Sequence, residues 1–140
     1  MNDSELSFFT IFLGLQQREV ACITRLLTSF IKHTDLEKLM ILDQSTAATN
    51  HMRVQNTLGL WQKNADAVKQ NAGLTGFDRD IDYTNYRTLI DKHPEKIRLI
   101  EQQDEVLTHS RAINKILNEH CSTKWCVIMD SDIEFLNPDY

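Results

Sequence analysis

Apolar residues in this chain come in two alternating rhythms. One is the short, unbroken run. Ser7-Phe-Phe-Thr-Ile-Phe-Leu-Gly14 is rich in β-formers and does not alternate, the pattern of a strand buried on both faces, and Gly14 permits a sharp exit. Lys38-Leu-Met-Ile-Leu-Asp43 and Lys124-Trp-Cys-Val-Ile-Met129 repeat the pattern, and the alternating Lys96-Ile-Arg-Leu-Ile100 reads as another strand. The second rhythm is helical. Val20, Ile23, Leu26, Leu27, Phe30 and Ile31 line one face of a helix over 17–33, and Val106, Leu107, Ile113, Ile116 and Leu117 line one over 104–120. Gln44-Ser-Thr46 reads as a polar turn. In the stretch 47–95, Val54, Leu58, Leu60 and Trp61 suggest a helix and Asn71-Ala-Gly-Leu-Thr-Gly76 a loop. Tyr83, Tyr86, Leu89 and Ile90 suggest a short helix that stops before Pro94.

The order is therefore strand, helix, strand, helical insert, strand, helix, strand, with no internal repeat, low-complexity tract or linker. Each crossover is long enough to join parallel strands through a helix. The expected fold class is α/β, a Rossmann-like parallel sheet flanked by helices. Such sheets bind ligands beyond the carboxyl ends of their strands, and two of the expected strands run into an aspartate there, Asp43 and Asp130.

Composition narrows the partners. With 41% hydrophobic and 25% charged residues the chain can bury an ordinary core. The net charge of −5 and the lack of a Lys/Arg cluster argue against nucleic acid. They do not exclude a nucleotide, whose local repulsion a divalent cation offsets. Three cysteines, with four residues between Cys121 and Cys126, make neither a zinc spacing nor a disulfide framework and fit a reducing compartment. The apolar run at 7–15 follows Asp3 and Glu5 rather than a basic region and is too short to span a bilayer, so a cytoplasmic protein is expected.

The residues with most chemical content are Asp130 and Asp132, two apart at the mouth of a buried strand. Carboxylate oxygens suit Mg²⁺ or Mn²⁺, which keep positions open for water and phosphate, grip a diphosphate and neutralise charge growing on a leaving group. The Asp-x-Asp spacing by itself equally describes a solvated turn. Its place directly after Trp125-Cys-Val-Ile-Met129 favours a site, because two neighbouring carboxylates repel each other unless something positive is nearby.

His109-Ser-Arg-Ala-Ile-Asn114 through Lys124-Trp-Cys-Val-Ile-Met-Asp-Ser-Asp-Ile-Glu-Phe-Leu136 resembles the middle of a family 2-like glycosyltransferase of the GT-A type, which carries a helix, a hydrophobic strand and then Asp-x-Asp. Ile41-Leu-Asp-Gln-Ser-Thr46 is similar to the strand of that family that ends in Asp and, shortly after, Ser. The resemblance implies a GT-A nucleotide-diphospho-sugar transferase fold in which 1–140 is a single donor-binding domain, truncated after the Asp-x-Asp strand and carrying an insertion at about 51–93. It implies transfer of a sugar from a UDP- or GDP-type donor to an unknown sugar acceptor, assisted by Mn²⁺ or Mg²⁺. Asp43, Ser45, Arg111 and Asp130 would contact the nucleotide sugar, Asp130 and Asp132 the metal, and the loop Gly14 to Gln16 would border the base. Asn114 would pack or hydrogen-bond on the same helix. No residue is identified as catalytic, because the general base of inverting members lies beyond the matching segment.

Other readings of the same residues stay open. Asp43 can cap the turn after its strand, Arg111 can be a solvated helix residue, His109 a surface or capping group, and Trp61 and Trp125 core residues. For the whole chain the alternative is a non-catalytic nucleotide-sugar-binding module or subunit that needs a partner chain. An odd cysteine count and an open sheet edge point to self-association. A phosphohydrolase that uses the first Asp of Asp-x-Asp as nucleophile, and a ligand-free interaction domain, are further classes.

Overall fold

The computed structural model describes residues 6–34, 38–57 and 80–136. They form one four-stranded, all-parallel sheet flanked by helices, consistent with a Rossmann-like fold. The chain runs β1 (Leu6–Phe12), α1 (Gln17–His33), β2 (Leu39–Asp43), α2 (Ser45–Thr57), α3 (Thr84–Lys92), β3 (Ile97–Glu101), α4 (His109–Lys115) with a wide π-type turn at Ile116–His120, and β4 (Trp125–Met129). The spatial order is β3-β2-β1-β4. Phe12 lies opposite Asp43, Asp43 opposite Glu101, and Thr10 opposite Met129, so all four strands end at the same edge.

Strand alternation sorts the apolar residues of β1 onto two faces. Phe8 and Phe12 join Val20, Ile23, Leu26, Leu27 and Phe30 of α1 and Tyr86 of α3 in the larger cluster. Phe9 joins Leu42, Ile100, Leu107, Ala112 and Ile116 in the smaller cluster beneath α4. The α1 stripe is fully buried from Ile23 to Phe30, and the Phe30 ring meets Phe8 and Phe135 edge-on at 6.0 and 5.7 Å. Lys32 and His33 in the last turn of α1 suit its negative end, and Thr34 closes the helix with its amide and hydroxyl both donating to the Phe30 carbonyl.

Several boundaries differ from the pattern reading. β1 ends at Phe12, two residues before Gly14. Gln44-Ser-Thr46 is not a turn, because α2 begins at Ser45. The helix expected from 104 begins only at His109: the Leu107 amide donates to the Gln44 side chain, which holds the approach to Thr108 extended, and the Thr108 hydroxyl then caps α4. The helix from Thr84 and the strand from Ile97 fall where expected. Leu58, Leu60, Trp61 and the loop 71–76 lie outside the described residues. Of the expected insertion at 51–93, the described parts are the end of α2, the approach from Asp80 and α3. No described helix is long and apolar enough to cross a membrane.

Candidate functional site

Chain order and spatial order reverse across β1. The chain leaves β1 through α1 toward β2, and reaches β4, on the other side of β1, through α4. Crossovers on opposite faces leave a crevice at the carboxyl edge between β1 and β4, the place where open α/β sheets bind ligands. An open cavity of about 610 Å³ lies there. Ile11 and Leu13 come from the end of β1, Ile128 to Asp132 from the end of β4, Arg18, Glu19 and Cys22 from the first turns of α1, and His109 from the start of α4.

Asp130 and Asp132 both line this cavity, on the turn that follows β4. Both are exposed and neither forms an ion pair or hydrogen bond among the described residues. After them the chain folds back over α1, where the Phe135 amide donates to the buried Ser29 hydroxyl at 3.0 Å and its ring packs on Phe30. The Asp-x-Asp turn is thus anchored on both sides while its carboxylates stay open.

Next to the lining residue Leu13, the loop that leaves β1 beside the cavity turns at Gly14. Its φ of +70° is the left-handed region, and a Cβ there would come within 2.9 Å of the Phe12 ring and 3.0 Å of Ser45 Cβ. Its amide donates to Glu19 Oε2 at 3.0 Å and its carbonyl accepts from the Tyr83 hydroxyl at 2.6 Å. Glu19 is therefore a strut for the loop as well as a wall of the cavity. Burial pushes its carboxyl above the usual carboxylate range, against the opposing pull of the Gly14 amide and Arg18.

The remaining expected site residues lie elsewhere. Asp43 shares the carboxyl edge with Asp130, one strand removed, about 10 Å at ordinary strand spacing. It is buried, however, and both oxygens are engaged: Oδ1 accepts the Ser45 amide at 2.8 Å and Oδ2 the Tyr86 hydroxyl at 2.7 Å. Its observed role is to start α2 and anchor α3. Ser45 is buried beside it, on a smaller hollow of about 220 Å³ with Tyr83 and Arg87. Arg111 is exposed, paired with Glu105 at 3.5 Å, and does not line the cavity. Asn114 is exposed on the same helix.

The sequence reading does not single out Arg18, Glu19 or Cys22 as site residues and takes His109 for a surface or capping group. Their signal is positional: each occupies the opening turns of a helix adjoining β1 or β4, and such turns meet at the crevice. Chemically the cavity offers two free carboxylates, a guanidinium, an imidazole and a thiol over an apolar floor. Among the described residues no three His, Cys, Asp or Glu side chains come together as a metal cage. A pair of carboxylates still suits a hard dication that fills its other positions with water and phosphate oxygens. No family model, curated protein or solved structure matches this chain.

Proposed function

We propose that this chain is a metal-assisted glycosyltransferase domain of the GT-A type, binding a nucleotide-diphosphate sugar at the crevice between β1 and β4 for transfer to a sugar acceptor. The observation that carries this reading is the convergence of Asp130 and Asp132, unpaired among the described residues, with Arg18 and His109 on one open cavity at the topological reversal of a parallel sheet. Asp130 and Asp132 would hold Mn²⁺ or Mg²⁺, which when bound supplies positive charge to the diphosphate leaving group. Arg18 adds a permanently charged guanidinium to the same cavity. Leu13, in the loop held by Glu19 and Tyr83, offers an apolar surface to the base or ribose. Asp43 acts from beneath, by holding α3 and hence Tyr83 in place, rather than by touching the nucleotide.

The test is a thermal-shift titration with Mn²⁺ and UDP or GDP. A ligand bound only by the native state must raise Tm. The wild-type chain is expected to gain several degrees with one of the nucleotides and only in the presence of metal, and an Asp130→Asn/Asp132→Asn variant to gain nothing while melting normally without ligand. A flat response of the wild-type chain, or an undiminished response of the variant, refutes the reading.

A further inference from the structure

The sheet has two edges, and they are built differently. β3 carries Arg98 and Glu101 exposed among its apolar residues, charges of the kind that keep an edge from pairing. β4 carries none: Trp125-Cys-Val-Ile-Met129 is the unbroken apolar run of a strand with neighbours on both sides. Yet β4 pairs only with β1, and among the described residues no strand lies along its outer edge. It has no proline and no charge within the strand. Trp125 is 53% exposed, and Cys126, Val127 and Ile128 are only partly covered.

The sequence of this edge complements itself. Laid antiparallel against a second copy about a two-fold axis at Val127, it sets Lys124 opposite Asp130, Trp125 opposite Met129 and Cys126 opposite Ile128. A cation meets an anion at both ends, and an aromatic ring meets a thioether, both favourable cross-strand pairs. Lys124 has no carboxylate partner among the described residues and lies over its own Trp125 ring at 5.8 Å, and Asp130 is likewise unpaired. A parallel pairing would not close on two copies, whereas this one is isologous and ends with the dimer. We propose that two copies of this chain associate through β4, joining their sheets into one continuous eight-stranded sheet with Val127 on the axis and Lys124 paired to the partner's Asp130. The inference uses Asp130, which the sugar-nucleotide reading also uses, but it does not rest on that reading and is tested without nucleotide or metal, so that the failure of one is distinguishable from the failure of the other.

Sedimentation equilibrium over a concentration series reads the association directly. The wild-type chain is expected to form dimers. Lys124→Asp turns two attractive pairs into two repulsive ones and should raise the dimer Kd by on the order of tenfold. Lys124→Asp combined with Asp130→Lys swaps the charges and should return the Kd close to wild type. In mixed samples of isotope-labelled and unlabelled chains, Val127 should give intermolecular contacts to Val127 of the other copy. A wild-type monomer at every accessible concentration overturns the proposal. So does a dimer indifferent to Lys124→Asp, a double variant no better than the single one, or a dimer without the contact between the two copies of Val127.

Discussion

Tyr86 carries a phenol into the core, fully buried beside the Phe12 ring at 4.9 Å, and its hydroxyl has one acceptor, the Asp43 carboxylate. Burial first, and then the negative charge of Asp43, hold the phenol far above its ordinary pKa, so it remains a donor throughout the range in which the protein is folded. This single bond joins the end of β2 to α3 across 43 residues of chain. Tyr86→Phe keeps the ring but leaves a buried carboxylate oxygen without its donor. The expected loss is about 2 kcal/mol, because an abandoned buried acceptor costs its desolvation as well as the bond. Urea unfolding should show a lower midpoint with an unchanged m value. Neither residue announced the pairing in the sequence: Tyr86 read as an apolar helix position and Asp43 as a strand-end acid, and the link exists only once α3 packs over the sheet.

At the scale of elements, α1 and the loop before it behave as one unit, since Glu19 in the first turn of the helix braces Gly14. Burial raises the Glu19 carboxyl above its unfolded value, so folding favours its protonated form. The sign follows: this group's stabilising contribution is complete below the unfolded pKa and is lost as pH rises through the folded pKa. At neutral pH the ionised carboxylate is therefore a net burden on the fold. Glu19→Gln preserves an oxygen for the Gly14 amide and removes the charge. The variant is expected to be more stable than wild type at pH 7, with the difference shrinking to nothing as pH falls below the ordinary carboxylate range, as followed by urea midpoints at a series of pH values. Element existence and type were legible from periodicity, because α1 and the apolar strands are long or unmixed enough to admit one reading. The start of α4 was not legible. Val106 and Leu107 continue its helical spacing, but the Gln44 side chain claims the Leu107 amide, a contact between residues 63 apart that no local pattern encodes.

At the scale of the molecule, the parallel sheet followed from the order of elements alone, and Asp130 and Asp132 line the crevice at its carboxyl edge. The seating of Arg18 and His109 depends on which face each crossover takes, which the order of elements leaves open. The same arrangement has a consequence in time. β1 is translated before the other three described strands, and its β2 side can zip once Asp43 is made. Its other side must wait for Trp125 to Met129, which lie 119 positions along the chain from their partners Leu6 to Thr10. Pairings this remote are slow to form, because a large loop must close before they are rewarded. Pulsed amide exchange during refolding should therefore find the β1–β2 ladder protected before the β1–β4 ladder. A nascent chain halted short of β4 would present one bare flank of β1 to its surroundings or to a chaperone, and the crevice would come into being only once β4 is made.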